Sequence, residues 1–320
     1  MNVLIGPNSY QLERVVEELA SSYPEISFTH CSQSQDLSQN LAKTEVYLGW
    51  LGRDQFLAAE NIKWIQSPST GVDRFLAIPE LRKGDVLLTS ARGTHGPVLA
   101  EHTFALIFSI TRGMHHFAFD QRERQWTTRS RRSTLSELRG TTLGLVGFGS
   151  IGRAIALRAQ SFGIKLVAVD VQDAQCPEHI SWVGDLGRLN ELMAVSDVVV
   201  ITVPYTAETY HMINKARIEK MQSHAILVGI SRGGIIDEND LVHALKAGTI
   251  RAAALDVCEK EPLPEESPLW DVNNLILTPH VGGGSQYEAE GILQIFKENI
   301  GRYTKGEFPL LNQVDKTRGF

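Results

Sequence analysis

The chain of 320 residues predicts an α/β protein with two doubly wound parallel-sheet domains. Three observations predict this. Short apolar runs alternate with amphipathic stretches along the first part of the chain. A second, clearer series of the same kind starts at Thr142. In that series the runs are Val, Ile and Leu without polar alternation, the pattern of central strands covered on both faces.

Taken in order, Val3–Ile5 reads as a strand, and Leu12, Val15, Val16 and Leu19 mark one helical face. Val46–Leu48, Trp64–Gln66 and Val86–Leu88 are further strands. In the second series Leu143–Val146 is a strand, Ser150–Phe162 a helix, and Lys165–Val169 a strand that leads into Asp170. Val198–Val203, Ala225–Val228, Ala252–Leu255 and Leu275–Leu277 continue it. A last helix, from about Ser285 to Lys305, returns the chain to the first domain. The expected boundaries are 1–99 with 286–320 for one domain and 100–285 for the other. Two crossovers leave a cleft between domains, a common place for a ligand.

The composition excludes several classes. A formal net charge of −6 disfavours nucleic acid and anionic membrane as partners. The N-terminus reads as a strand with no signal-peptide pattern. The cysteines Cys31, Cys176 and Cys258 are odd in number and form no CxxC pair, which fits a reducing cytoplasmic setting and argues against a disulfide framework or zinc site. The most apolar long stretch, Val98 to Phe119, contains Glu101, His102, Arg112, His115 and His116 and is too charged to span a membrane. It is expected to form one long helix at the centre of a symmetric homodimer. His95, His102, His115 and His116 are assigned to this region and its interface, with no metal. The basic segment Arg122, Arg124, Arg129, Arg131 and Arg132 around Trp126 is assigned to a solvated loop or subunit-contact arm. Trp50 either lines a pocket or packs in the core.

Gly147, Gly149 and Gly152 form G-x-G-x-x-G between a strand and a helix. The first glycine permits the tight turn, the second lets the backbone approach a pyrophosphate, and the third lets helix pack on strand. The helix N-terminus, at Ser150 and Ile151, directs N–H groups at the phosphates. Asp170 ends the next strand, where an acid binds the ribose 2′-hydroxyl. The same acid repels a 2′-phosphate, and Val171, Gln172 and Asp173 supply no cation to accept one, so NAD is the expected cofactor. Downstream, Ser231-Arg232-Gly233-Gly234, Glu261-Pro262 and Thr278-Pro279-His280 deliver an arginine, a glutamate and a histidine in that order. With the glycine turn they suggest a dinucleotide site facing a charged group that moves a proton.

These segments carry a family resemblance. Leu145-Val146-Gly147-Phe148-Gly149-Ser150-Ile151-Gly152, Val203-Pro204-Tyr205-Thr206-Ala207-Glu208-Thr209 and Ser231-Arg232-Gly233-Gly234-Ile235-Ile236-Asp237 match it. So do Asp256-Val257, Glu261-Pro262-Leu263-Pro264 and Asn274 with Thr278-Pro279-His280, and earlier Ser69-Thr70-Gly71-Val72-Asp73 and Ala100-Glu101-His102. The chain resembles the D-isomer-specific 2-hydroxyacid dehydrogenases, and within them the glyoxylate/hydroxypyruvate reductases. The resemblance implies a Rossmann-type cofactor domain inserted in a flavodoxin-like substrate domain. It implies NAD-dependent, reversible reduction of a small 2-keto acid to a D-2-hydroxy acid by hydride transfer. Arg232 would bind the substrate carboxylate and polarise the 2-keto oxygen. His280 would be the acid/base, and Glu261 would orient it and favour the imidazolium. Thr70, Gly71 and Val72 would hold the substrate carboxylate, with Arg232 and His280 completing the substrate site. Asp256 would contact the nicotinamide amide. Val203, Pro204, Thr209, Ile230, Ser231, Arg232, His280, Gly282 and Gly283 would complete the NAD site.

The sequence departs from the commoner pattern at Ala91-Arg92-Gly93-Thr94-His95-Gly96, which replaces an asparagine-containing loop. Arg92 or His95 is therefore expected to shape the pocket. The chain leaves no room for the regulatory domain of the longer phosphoglycerate dehydrogenases, and Glu261 stands where formate dehydrogenases carry glutamine. The alternatives are an NAD(H)-sensing binding protein like the C-terminal-binding corepressors, or a dehydrogenase of another small anion such as phosphite.

Overall fold

A computed structural model describes residues 1–8, 11–127, 131–171 and 176–319; the expectations placed on Arg129, Gln172 and Asp173 lie outside them. The chain divides into two compact units, Met1–His95 with Ser285–Phe320, and Gly96–Gly284. The first crossing precedes the expected one because the helix that opens the second unit already starts at Gly96.

The first unit holds strands β1 (Asn2–Ile5), β2 (Ser27–His30), β3 (Val46–Leu48), β4 (Trp64–Gln66) and β5 (Leu87–Thr89). They pair in parallel in the order β2-β1-β3-β4-β5. The last strand sits one residue later than expected. Strand β2 has no apolar run to announce it because it is an edge strand with mostly exposed side chains. The return helix, Glu288–Lys305, starts later than the expected Ser285. It puts Ile292, Leu293, Phe296 and Ile300 in one core with Val3, Ile5, Val46 and Trp64. Each such side chain contributes about 2 kcal/mol through burial.

That core encloses a polar network. The Trp64 indole N–H donates to Thr89 Oγ1 at 2.8 Å, and the Thr89 hydroxyl donates to Gln66 Oε1 at 2.7 Å. Asn299, on the return helix, donates to the same Gln66 oxygen at 3.3 Å. It also donates to the Leu311 carbonyl at 3.0 Å and accepts the Leu311 N–H at 2.7 Å. Gln66, Thr89 and Asn299 are fully buried, so each bond replaces one that water can no longer make.

The second unit holds β6 (Thr142–Val146), β7 (Lys165–Val169), β8 (Trp182–Gly184), β9 (Val198–Ile201), β10 (Ile226–Gly229), β11 (Ala252–Leu255) and β12 (Leu275–Leu277). All pair in parallel, in the order β12-β11-β10-β9-β6-β7-β8. Both faces are covered. Leu145, Val200 and Val228 share a core with the helices Gly96–Thr111 and Ser150–Ala159. Val146, Val199 and Leu227 share another with the helices Leu189–Val195 and Glu238–Ala247. That is why these strands read as unbroken apolar runs.

Val98 to Phe119 is not one helix. Gly113 adopts a left-handed φ of 65° and separates the helix Gly96–Thr111 from the helix Met114–Arg122. The first buries Leu99, Ala100, Phe104, Leu106, Ile107 and Ile110 inside its own unit, so its apolarity is satisfied within the chain. Exposed apolar side chains follow it instead, at Met114, Phe119 and Trp126, the last 97% exposed. Arg131 pairs with Asp120 at 3.0 Å, and Trp50 stacks on Phe75 with ring centroids 5.2 Å apart. Among the described residues no helix is long and apolar enough to cross a membrane.

Asn299→Leu leaves the Leu311 N–H without its acceptor and removes one of the two donors to Gln66 Oε1. The expected loss is about 1–3 kcal/mol of unfolding free energy, measured by urea denaturation. An unchanged midpoint would show that the network contributes nothing net.

Candidate active site

Parallel strands end on the same edge of their sheet, and every candidate residue of the second unit follows the C-terminal end of a strand. Gly147–Gly152 follow β6, Asp170 follows β7, and Val203, Pro204 and Thr209 follow β9. Ile230, Ser231 and Arg232 follow β10, Asp256 and Glu261 follow β11, and His280, Gly282 and Gly283 follow β12. The strand order reverses between β6 and β9. In open parallel sheets the crevice at such a switch point is where ligands bind.

The glycine turn fits a bound dinucleotide. Gly147 has φ 103°, and a Cβ on Gly152 would stand 2.4 Å from the Gly147 carbonyl oxygen, so a side chain there would force strand and helix apart. A Cβ on Gly149 would meet nothing within 4 Å, so open space lies over the turn. The first N–H groups of the helix Ser150–Ala159 have no intrahelical partner by geometry. Asp170 Oδ2 accepts the Phe148 N–H at 2.6 Å, which fixes its carboxylate beside the turn. The Ser231 hydroxyl is buried with no hydrogen-bond partner among the described residues, a polar group open to a ligand. The residues present therefore fit NAD or NADP.

The three charged residues are held by adjacent loops. A Cβ on Gly233 would fall 1.9 Å from the Cys258 carbonyl oxygen, so only glycine lets the Arg232 loop lie against the loop carrying Glu261. The Arg232 guanidinium donates to the Ser231 carbonyl at 2.7 Å. Glu261 accepts the Cys258 N–H on Oε1 at 3.0 Å and meets His280 Nδ1 with Oε2 at 2.7 Å. Each carboxylate oxygen thus has its own partner. With Nδ1 engaged, Nε2 is the ring nitrogen left to address a substrate. Both side chains are partly exposed, which leaves the pair accessible from solvent.

His280 has a left-handed φ of 54°, which costs a non-glycine residue about 1–2 kcal/mol. Asp256 offsets this. Its backbone carbonyl accepts the His280 N–H at 2.8 Å. Its carboxylate, on a residue only 1% exposed, accepts the Val281 N–H at 3.0 Å, the Gly282 N–H at 2.8 Å and the Thr278 hydroxyl at 2.6 Å. His102 Nε2 lies 3.3 Å from the same carboxylate. Burial pushes the Asp256 carboxyl up, but the His102 ring, the Thr278 hydroxyl and the two N–H groups outweigh it and hold it below the usual range. Asp256 was expected at the nicotinamide amide; its bonds here also make it the support of the His280 turn. His102 and Thr278 belong to separate sequence motifs, and nothing in their spacing places them together on Asp256.

Thr70, Gly71 and Val72 belong to the other unit, in the turn after β4. None of their N–H groups donates to a protein acceptor among the described residues. Successive unpaired N–H groups of this kind make an anion cradle. The histidines considered together do not gather: His115 and His116 adjoin each other, while His95 contacts Thr70 and His102 contacts Asp256. Among the described residues no group of three His, Cys, Asp or Glu could hold a metal ion.

Comparison with known proteins places the chain in a family and a fold. A family model, the NAD binding domain of D-isomer specific 2-hydroxyacid dehydrogenases, matches residues 104–282. The glyoxylate reductase of Thermofilum pendens is 37% identical over 254 residues, covering 79% of this chain and 75% of that protein. A D-isomer specific 2-hydroxyacid dehydrogenase family protein from Aeromonas salmonicida superposes with a TM-score of 0.86, at 31% identity and 98% coverage of both chains. A D-isomer specific 2-hydroxyacid dehydrogenase from Xanthobacter autotrophicus, solved with NADPH and MES, superposes with a TM-score of 0.84, at 27% identity and 99% coverage of both.

The loop that carries Glu261 is crowded with acids. His211 stands between two of them, 3.1 Å from Asp237 and 3.0 Å from Glu259. Burial pushes the Cys258 thiol up to about 12, with Glu238, Glu261, Asp256 and Glu259 adding to the effect. Only the thiolate alkylates readily. At pH 8 iodoacetamide should therefore label the exposed Cys176 well before Cys258. Peptide mass spectrometry reads both sites; equal labelling at pH 8 would contradict the assigned environment.

Proposed function

The chain belongs to the D-isomer specific 2-hydroxyacid dehydrogenase family, and from that premise we propose that it uses NADH to reduce a small 2-keto acid to the 2-hydroxy acid, the D-isomer where the product is chiral, with glyoxylate, whose product glycolate is achiral, as the first candidate. Oxidoreductase chemistry of this class, with NAD or NADP, follows from the family itself. The observation that carries the finer reading is the 2.7 Å contact between Glu261 and His280, on a loop packed against the one that presents Arg232.

When bound, the nicotinamide cofactor supplies the hydride. The chain's own residues do the rest. Arg232 binds the carboxylate and draws charge toward the 2-keto oxygen; its guanidinium stays charged and donates in a fixed fork. His280 gives the Nε2 proton to the oxygen as negative charge develops there. Glu261 keeps the ring oriented through Nδ1 and stabilises the charged form before transfer. The N–H groups of Thr70, Gly71 and Val72 receive the substrate carboxylate. In the oxidative direction neutral His280 takes the proton back. Asp256 keeps the His280 turn in place throughout.

Arg232→Lys keeps the charge and loses the fork. The expected loss in kcat/KM is at least about tenfold, or about 1.4 kcal/mol of transition-state stabilisation. An unchanged kcat/KM with a panel of 2-keto acids, read by NADH absorbance, would remove Arg232 from the site.

NAD is favoured over NADP because the Asp170 carboxylate, fixed by the Phe148 N–H, would face a 2′-phosphate of like charge. NADPH in the Xanthobacter protein makes the contrast worth measuring. The expected kcat/KM with NADH exceeds that with NADPH by at least about tenfold, the scale of one close like-charge contact. Equal values would overturn the preference.

A further inference from the structure

We infer that His95 is a positioning residue for the substrate: it fixes the turn Thr70–Val72 by linking it to Glu288. The inference rests on the reading of that turn as the seat of the substrate carboxylate.

His95 is 8% exposed and makes polar contacts at both ring nitrogens. Nδ1 lies 2.9 Å from the Thr70 hydroxyl and 2.7 Å from the Thr94 hydroxyl. Nε2 lies 3.2 Å from Glu288 Oε1. With its proton on Nε2 the ring donates to Glu288 and leaves Nδ1 to accept from threonine. The imidazole is thus a rigid connector with a threonine on one side and a carboxylate on the other.

The carboxylate end is anchored. Glu288 lies in the first turn of the helix Glu288–Lys305, where the helix dipole favours a negative charge. The helix is held in the core by Ile292 and Phe296. It approaches the His95 segment so closely that a Cβ on Gly291 would stand 2.8 Å from Thr94 Cγ2. The threonine end is the part with freedom to lose. Apart from His95, the Thr70 hydroxyl has among the described residues only the Ala91 carbonyl, at a long 3.4 Å. The Ala91 N–H donates to the Ser69 carbonyl at 2.9 Å, so the flank of the turn is already tied to the same segment. His95 adds the hold on Thr70 itself, the first residue of the cradle. Its effect on substrate is through Thr70, not by contact.

The test uses the full chain with NADH and glyoxylate. His95→Ala and Thr70→Val should each raise the KM for glyoxylate about three- to tenfold, the range expected for one hydrogen bond. The kcat and the KM for NADH should stay within about twofold. Because both changes remove one link, the double variant should be no worse than the poorer single variant. His95→Gln, whose amide both donates and accepts, should recover most of the affinity. An unchanged KM in His95→Ala, or effects that multiply in the double variant, would overturn the inference. If His95→Ala does not fold, Thr70→Val decides alone, and an unchanged KM there overturns it. Gly71→Pro deletes a cradle N–H with His95 intact. An unchanged KM in that variant would sink the carboxylate-seat reading itself, separately from the role of His95.

Discussion

The carboxylate of Asp256 is the interaction on which the candidate site depends. It is buried at the end of a central strand, where an unpaired charge would cost several kcal/mol. It is tolerable because Thr278, Val281, Gly282 and His102 all direct donors at it. Those donors come from the segment that carries His280 and from the helix that opens the unit. Satisfying one buried charge therefore places the acid/base candidate, left-handed backbone included. Because the bound donors hold its carboxyl below the ordinary value near 3.9, the stability it contributes is present at neutral pH and is lost only as strong acid protonates it in the folded state.

Parallel β-structure supplies the second constraint. Each strand can offer only one loop to the ligand edge, so a site needing phosphate N–H groups, a ribose acid, a guanidinium and an acid/base pair must draw on many strands. Here candidate residues follow β6, β7, β9, β10, β11 and β12. Precision then depends on how closely neighbouring loops pack. At Gly233 against Cys258 and at Gly152 against Gly147, a single added carbon would push neighbouring segments of the candidate site apart.

Much of this was legible in the sequence. The central strands and the glycine turn announce themselves because burial on both faces and a backbone-to-phosphate approach each demand particular residue types in a row. Arg232, Glu261 and His280 stood out as candidates because glycine and proline flank them. Strands β2 and β8 were not, since edge strands with partly exposed side chains need no apolar run. The break at Gly113 was hidden inside an apolar stretch whose composition suits either one helix or two. Partners such as His102 with Asp256, or His95 with Glu288 193 positions away, are set by tertiary packing that no local pattern encodes.

The discontinuous first unit has a consequence for synthesis on the ribosome. Its sheet emerges early, but the core beneath it contains Gln66 and Thr89, and the side chain that completes their network is Asn299. Ile292, Phe296 and Ile300 arrive with it. Until then the apolar face of the early sheet is covered only in part, by Leu12, Val15 and Leu19, and its buried network is incomplete, whereas the intervening unit is a continuous stretch of chain. The sheet of the first unit thus emerges before the intervening unit but is completed after it, and a nascent-chain chaperone would have that sheet to shield until the return helix emerges.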